Sequence, residues 1–234
     1  MSDPGHDSRT DPAPDAEWLV NQIAHTLRNP IFAAMVQSEA LVMRAGDDAR
    51  ITNAAQLVHR QLKRLESNIN EMLLYGRPAG LNPRRADLVE LVDRLAATFR
   101  QGERGEPAQV EVVAPRGSFE VDSDPDAIKV ILERLLLNAV QHTPEPHVIQ
   151  VEALTEGEDS FQVTIRDWGE GIPQSVQDKM FLPFFPQHSG RPGLGLAVAA
   201  KFAHTLGGSL TIQSDEGKGT VARCTLPIES PVAE

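Results

Sequence analysis

Apolar residues recur at steps of three and four along the first third of the chain. One series comprises Val20, Ala24, Leu27, Ile31, Ala34, Ser38 and Leu41, and a second comprises Ile51, Ala55, Val58, Leu62, Leu65, Ile69 and Met72. This spacing is typical of helices that pack along one apolar stripe. Between them, "RAGDDAR" offers Gly46 as a helix stop and aspartates as a restart. The pattern predicts an antiparallel helical hairpin over residues 16–76, and its two stripes favour pairing with a second copy into a four-helix-bundle dimer.

The periodicity changes after "YGRPAGLNPRR", whose Gly and Pro residues predict a linker over 77–85. Beyond it, short alternating runs predict strands: "VEVVA", "FEVD", "HVIQVEAL", "FQVTIRD", "SLTIQSD" and "TVARCTLPI". Three longer segments predict helices, and one of them has Asp124 as N-cap and Pro125 as its first residue. We therefore expect an α+β protein whose second domain, residues 86–229, is an α/β sandwich with helices on one face of a sheet. Residues 1–15 and 230–234 are expected to be tails, the first of them disordered.

Composition and charge limit the partners and the cellular compartment that we expect for the protein. The 234 residues carry a formal net charge of −11, which argues against nucleic acid or an anionic membrane surface as a partner. Cys224 is the one cysteine, which excludes an internal disulfide, fits a reducing compartment, and favours a small buried side chain. No apolar run approaches the ~20 residues that a membrane span needs. We therefore expect a cytoplasmic protein without membrane insertion.

Four segments of the second domain carry candidate chemistry. They are the helix with Asn138 and His142, the turn "DWGEGIP" after Asp167, the irregular "MFLPFFPQHSGRP", and "GLGLAVAAK", where Gly193 and Gly195 open a helix. Each alone is weak, because a glycine motif is usually a turn or a cap. Together they indicate phosphate binding at a helix N-terminus, an amide oxygen for Mg²⁺, and a carboxylate that accepts from an adenine amino group.

In this order the segments resemble the catalytic core of bacterial sensor histidine kinases, within the GHKL ATPase superfamily. "LERLLLNAVQHT" resembles the N-box, "DWGEGIP" the first glycine box, "MFLPFF" the F-box, "GLGLA" the second glycine box, "EGKGT" a further glycine element, and "AHTLRNP" the phospho-acceptor H-box. The resemblance spans residues 16 to 228 and implies a Bergerat-type ATP-binding fold. It also implies ATP and Mg²⁺, the metal at Asn138, with nucleotide contacts from Asn138, His142, Asp167, Gly169, Gly171, Arg191, Gly193, Leu194, Gly195, Leu196 and Thr220.

The same resemblance makes His25 the acceptor of the ATP γ-phosphoryl group, which would then pass to an aspartate of a response-regulator receiver domain. Asn29, four residues on, matches the position that orients water in regulator dephosphorylation. Pro30 removes a helical hydrogen bond, so we expect a bend beside His25. Input would come from an upstream sensor partner, from the N-terminal residues, or from a domain outside this sequence.

Three features depart from the family pattern. Thr26 stands where the family usually has an acid, which predicts slower phosphorylation of His25 because general-base help is worth ~10²–10⁴-fold. Arg134 stands where the N-box often has a second Asn. The resemblance implies that ATP-hydrolysing relatives have a water-activating Glu at this position. Glu133 is one residue away, about 100° around the helix, which argues against such hydrolysis here. After the F-box, where the family often has Thr and Lys, this chain has "PQHSGRP". Either Arg191 or His188 replaces the positive charge of that Lys in the loop over the nucleotide, or both are solvated loop charges.

Two other functions stay open at this point. The first is a response-regulator phosphatase that binds ATP but phosphorylates itself weakly, because Asn29 is present and the acid is not. The second is an ATP-gated module that sequesters a partner protein. The presence of the hairpin that carries the H-box argues against the second.

Overall fold

The structure is a computed structural model that describes residues 16–45, 48–76, 80–103, 107–115, 117–185 and 193–231. The chain divides into two compact units, Met1–Pro78 and Ala79–Glu234. The predicted tail 1–15, Gly46, His188 and Arg191 lie outside the described residues, as do the side chains of residues 16–21, 24 and 25. In the described part of the chain, no helix has the length and apolar character that crossing a bilayer requires.

The first unit is the predicted helical hairpin. Helix α1 spans Ala16–Arg44 and runs through Pro30, and α2 spans Ala49–Gly76. The Asp48 carboxylate starts α2, since its Oδ1 accepts from the backbone N–H groups of Arg50 and Ile51 at 3.0 and 3.4 Å. The two helices contact each other in antiparallel order, because Ser38 meets His59 whereas the earlier Arg28 meets the later Asn70. The bend at Pro30 stays a prediction.

Only part of the two apolar stripes is buried within one hairpin. Ala55 and Ile69 are buried, and so is Ser38 at its seam position. Many large apolar side chains of both helices remain exposed: Ile23, Leu27, Phe32, Val36, Leu41, Met43, Ile51, Leu57, Val58 and Leu65. An exposed apolar surface of this extent is characteristic of an interaction surface.

The second unit is built around a five-stranded sheet of order β2-β4-β5-β7-β6. Strand β2 (Gln109–Val113) is parallel to β4 (Val148–Glu156), and all other neighbours are antiparallel. The remaining strands are β5 (Ser160–Asp167), β6 (Ser209–Asp215) and β7 (Gly219–Pro227). Every strand predicted from the alternating runs is present. A further strand, β1 (Arg84–Asp87), pairs antiparallel with β3 (Glu120–Ser123) outside the main sheet.

Three helices cover one face of this sheet: α3 (Leu88–Arg100), α4 (Pro125–His142) and α6 (Gly195–Thr205); the short α5 is Gln174–Gln177. The Asp124 side chain caps α4 as predicted, and Pro125 is the first helical residue. Alternation along the strands directs one set of side chains into the core, including Val151, Val163 and Cys224. Burial raises the pKa of Cys224 to about 12, as befits a structural thiol.

The edges of this unit differ from two sequence-based predictions. β1 begins at Arg84, inside the segment predicted as a linker. Ser230 was assigned to a tail, yet it is buried and its backbone N–H donates to the Asp122 carbonyl oxygen at 2.9 Å. Neither pairing has a local signature, because "RRAD" lacks an apolar alternation and the partners are distant in sequence.

Candidate functional site: a nucleotide-sized cavity

Asp167 ends β5 and anchors the loop that follows. Its Oδ1 accepts hydrogen bonds from the backbone N–H of Gly169 at 2.9 Å and of Thr220 at 3.2 Å. Burial raises the pKa of Asp167, although these two N–H groups and nearby His142 oppose the rise. One carboxylate oxygen is therefore committed to the backbone, and the second is the acceptor that the site can offer to a ligand.

Gly169 and Gly171 bring the same loop close to its neighbours. A Cβ on Gly169 would lie 2.0 Å from the His142 carbonyl oxygen. Gly171 has φ +71°, and a Cβ there would lie 2.1 Å from the Asp215 carbonyl oxygen. No larger residue fits at either place without moving the backbone, so the two glycines let the loop pack between α4 and the β6–β7 turn.

Ser214 on β6 ties this loop to the sheet. Its Oγ accepts from the Ile172 backbone N–H at 2.8 Å, donates to the Gly219 carbonyl at 3.0 Å, and lies 2.9 Å from the Thr220 Oγ1. Gln177 adds two bonds, from its Nε2 to the carbonyl oxygens of Ile172 and Ser214 at 2.8 and 2.9 Å. The sequence did not single out Ser214 or Gln177, because the bonds from Ile172 and Gln177 to Ser214 span 42 and 37 residues.

Helix α4 contributes the opposite wall. Asn138 and His142 lie one turn apart on the same face. His142 Nδ1 is 2.8 Å from Oε1 of Glu170 in the glycine loop. At Asn138, Oδ1 lies 3.5 Å from where a Cβ of Gly195 would be, so the amide faces the first residue of α6. Neither Glu133 nor Arg134 is among the described residues that line the space between these walls.

These elements enclose a cavity of about 570 Å³, a volume typical of sites for drug-sized or nucleotide-sized ligands. Six of the predicted contact residues line it: Asn138, His142, Asp167, Gly171, Leu196 and Thr220. Most of the wall is apolar, and its residues were not among the predicted contacts: Leu135, Ala139, Ile165, Ile172, Val176, Met180, Phe185, Ile212 and Ala222. Ile172, Met180 and Phe185 belong to the quoted motifs "DWGEGIP" and "MFLPFF", and the others carry no motif. Apolar residues of this kind are indistinguishable in sequence from ordinary core positions.

The segment "GLGLA" contributes less directly. Gly193 has φ +66°, and a Cβ there would lie 2.0 Å from the Phe185 carbonyl oxygen. Gly195 opens α6, and no side chain caps that helix in the described part of the chain. Leu194 is fully buried and its side chain does not line the cavity, so its predicted nucleotide contact is restricted to the backbone. Gly169 likewise acts through its lack of a side chain.

A Mg²⁺ ion fits this site only in partnership with a phosphorylated ligand. Among the described residues, no group of three or more His, Cys, Asp or Glu side chains is arranged to hold a metal. The Asn138 amide oxygen is one suitable hard ligand, and Mg²⁺ is commonly bound by one or two protein oxygens plus phosphates and water.

The hairpin carries the three residues predicted to take part in phosphoryl transfer: His25, Thr26 and Asn29. His25 lies within α1, but its side chain is outside the description. Thr26 is exposed, and its Oγ1 donates to the Gln22 carbonyl at 2.8 Å, one turn back. Asn29 is exposed on the same helix. Thr26 directly follows His25, and residues 22–29 contain no Asp or Glu that could act as a carboxylate base in this part of the helix.

Comparison with known proteins agrees with this geometry. Residues 123–230 match a protein family described as "Histidine kinase-, DNA gyrase B-, and HSP90-like ATPase". This range lies within the second unit, which therefore resembles the ATPase domains of this family. The matched range contains Asn138, Asp167 and Gly195, together with every strand of the main sheet except β2.

Two related proteins match a longer part of the chain, which includes both units. Sensor histidine kinase ZraS of Salmonella typhimurium is 28% identical over 210 residues, covering 90% of this chain and 45% of that protein. Adaptive-response sensory kinase SasA of Synechococcus elongatus is 26% identical over 229 residues, covering 91% and 59%. The chain therefore resembles the catalytic core of sensor histidine kinases and spans about half the length of these curated relatives.

Solved structures show the same fold. Full-length ShkA in complex with AMPPNP has a TM-score of 0.72 at 18% identity, covering 92% of this chain and 46% of that one. Histidine kinase ThkA in complex with response regulator protein TrrA has a TM-score of 0.65 at 23% identity, covering 89% and 60%. The combination of a helical hairpin with this α/β fold is thus shared with these two solved structures.

Proposed function

We propose that the chain is an ATP-dependent protein-histidine kinase of a two-component system. In this proposal His25 takes the γ-phosphoryl group of ATP and passes it to an aspartate of a response-regulator receiver domain. The observation that carries the proposal is the cavity, whose two ends differ in chemistry as the two ends of a nucleotide do.

One end of the cavity suits a purine base. Asp167 is buried there with one oxygen held by the backbone, so the other is directed to an exocyclic amino group. The side chains of Ile165, Met180 and Ile212 supply apolar surface in the same cavity. A buried acceptor of this kind discriminates strongly for ligands that can donate to it.

The other end suits phosphates. Gly195 starts α6 directly beside the Asn138 amide, so the first N–H groups of that helix and their positive dipole end are available to an anion. Mg²⁺, when bound, would neutralise phosphate charge, with Asn138 as the protein ligand. The protein's own contribution is to hold the nucleotide and exclude water.

The transfer step breaks the bond between the γ-phosphorus and the bridging oxygen of ADP, which leaves with the electron pair. A bond forms between that phosphorus and the unprotonated ring nitrogen of His25, and the proton on the other ring nitrogen is released to solvent. Neutral imidazole is the nucleophile, and histidine with an ordinary pKa of about 6.5 is largely neutral near pH 7. Lack of an acid at Thr26 therefore slows the step without abolishing it.

The assembly belongs to the same proposal. The exposed apolar side chains of α1 and α2 support a homodimer through a four-helix bundle, since a second hairpin would cover them. A receiver domain is the proposed phosphoryl acceptor, because ThkA was crystallised with its response regulator and shares this fold. A cytoplasmic location and an upstream sensor partner complete the proposal.

Phosphohistidine chemistry tests the proposal. Incubation with [γ-³²P]ATP and Mg²⁺ should label the protein with phosphate that is acid-labile and base-stable, and His25→Ala should remove the label. Addition of a panel of receiver domains should transfer it. Absence of label despite ATP binding would contradict the kinase function. If receiver domains were instead only dephosphorylated, and Asn29→Ala stopped this, the protein would be a phosphatase.

A further inference from the structure

A hydrogen-bonded pair of ionisable side chains lines the cavity between its two walls. His142 extends from the last turn of α4 and Glu170 from the glycine loop, with 2.8 Å between Nδ1 and Oε1. His142 is one-third exposed, whereas the Glu170 side chain is 71% exposed. Both residues line the cavity. The two elements are also joined by backbone, since the Glu170 N–H donates to the His142 carbonyl at 3.2 Å.

The pair belongs to the base end of the cavity. The His142 ring is close enough to Asp167 to act electrostatically on its carboxylate. Asn138 and Gly195, in contrast, mark the phosphate end one helical turn away. A ring at His142 therefore faces the nucleoside part of a bound nucleotide. It does not face the phosphate chain.

We infer that Glu170 is a positioning residue that orients the His142 ring against the nucleoside of the bound nucleotide. This inference rests on the proposed nucleotide site. The Glu170 carboxylate accepts from Nδ1–H, which fixes the ring plane and leaves Nε2 as an acceptor in the cavity. An unanchored ring on the last turn of a helix would lose rotational freedom on each binding event, and that loss weakens affinity.

The sign of the effect separates this role from simple charge. ATP is a polyanion, so removing a carboxylate from the cavity should by electrostatics alone strengthen its binding. A positioning role predicts the opposite. Glu216 provides the matched comparison, because it is a second carboxylate on the cavity wall and lies in the β6–β7 turn without a described contact to His142.

The effect should also be independent of phosphate number. Glu170→Ala should weaken ATP, ADP and adenosine by one common factor, roughly three- to tenfold, the range of a single net hydrogen bond. Glu216→Ala should weaken ATP less than Glu170→Ala does, or strengthen it. In a His142→Ala background, Glu170→Ala should have no further effect, because Glu170 acts through the ring.

Titration calorimetry of the full chain with these three ligands decides the matter, accompanied by ¹⁵N NMR of the His142 ring. Glu170→Gln should shift the Nδ1 resonance and Glu170→Asp should recover part of the affinity. Equal losses for Glu170→Ala and Glu216→Ala, a loss confined to ATP, or an undiminished loss in the His142→Ala background would overturn the inference. Wild-type protein that binds none of the three ligands would overturn the proposed nucleotide site itself.

Discussion

The Thr26 hydroxyl donates a hydrogen bond to the Gln22 carbonyl oxygen, 2.8 Å away in the preceding turn of the same helix. This back-bond holds the hydroxyl against its own helix. A hydroxyl does not take up a proton near pH 7, so the residue next to the proposed phospho-acceptor provides no base for His25.

Replacing Thr26 with an acid should restore the missing base. We expect Thr26→Glu to raise the initial rate of His25 phosphorylation roughly 10-fold or more, given what a positioned base contributes. Single-turnover labelling at saturating Mg-ATP measures this rate. Thr26→Gln is the control of matched length, and it should not reproduce the increase. An equal or lower rate for Thr26→Glu would mean that the site is built around threonine.

Asp167→Asn should weaken ATP binding by roughly 10-fold or more, the value of a hydrogen bond to a charged group. Asparagine retains the oxygen that accepts from Gly169 and Thr220, but it presents an NH₂ group to the ligand in place of the second oxygen. Calorimetry gives the dissociation constant, and circular dichroism checks that the fold is kept. Unchanged affinity would place the adenine elsewhere.

Gly171→Ala tests the close approach of the glycine loop to the β6–β7 turn. The new Cβ would lie 2.1 Å from the Asp215 carbonyl, in addition to the cost of φ +71°. Gly157→Ala is a matched control, because Gly157 has φ +73° with nothing within 4 Å. The control should lower the free energy of unfolding by only about 1–2 kcal/mol. Gly171→Ala should cost more and also weaken ATP binding at least ~10-fold, since the loop carries Glu170 and borders Asp167. Equal effects would show that the contact is easily relieved.

Asp87 gives the second unit a pH-dependent contribution to stability. Its Oδ1 caps α3 by accepting from the N–H groups of Val89, Glu90 and Phe119 at 2.9, 3.4 and 3.2 Å. Burial acts to raise the pKa of Asp87, but these bonds and one from Ser118 outweigh it, so the pKa lies below its usual value of 3.8. The contribution is therefore present above the unfolded-state pKa and is lost as the pH falls through the lower folded-state pKa.

Asp87→Ala should accordingly lower the free energy of unfolding by about 1 kcal/mol near pH 7. The difference from wild type should shrink when the pH is brought to about 3, where the unfolded carboxyl is protonated. Urea unfolding at the two pH values measures both quantities. Asp87→Asn keeps a capping oxygen and should remove the pH dependence while costing less. A difference that did not change with pH would argue that the charge plays no part.

The apolar stripe of α2 should hold the protein together as a dimer. Leu65 is 48% exposed in the single hairpin and Leu62 is half-buried, so aspartate at both positions would place two charges in the bundle core. Light scattering at micromolar concentration should show a dimer for wild type and monomer or unfolded chain for the double variant. Gln61→Asp adds the same type of charge at an exposed neighbour and should remain dimeric. A monomeric wild-type protein would refute the bundle.

The sequence predicted the long periodic and strongly capped elements well. The heptad spacing of α2 and the pair Asp124–Pro125 at α4 are local signals, so both helices could be placed without tertiary information. The alternating strands were predicted for the same reason. β1 and the buried Ser230 were missed because their stability comes from pairing with Glu120–Ser123 and Asp122, far away in sequence.

The residues of the site likewise fall into those with a local sequence signal and those without one. Asp167, Gly171 and Asn138 carry motif signals and do line the cavity. Much of its apolar wall, including Ile165 and Ile212, has no signal of its own, since burial against a ligand and burial in a core select the same residues. Leu194 shows the reverse, because it belongs to a recognised motif yet its side chain packs in the core.

The strand β3 and the residues beside it bind both ends of the second domain. Near the start of the domain, the Asn82 backbone N–H donates to the Asp124 Oδ2 at 2.8 Å. Near its end, Asp122 receives the Ser230 N–H and donates its own to the Ile228 carbonyl, both at 2.9 Å. Entry and exit of the domain therefore lie side by side, as in domains that tolerate insertion or circular permutation. We expect the domain to keep its fold when it is inserted into a loop of another protein, provided that the chain is cut outside residues 82 and 230. A cut at residue 227 would remove the two hydrogen bonds that Asp122 makes with Ile228 and Ser230.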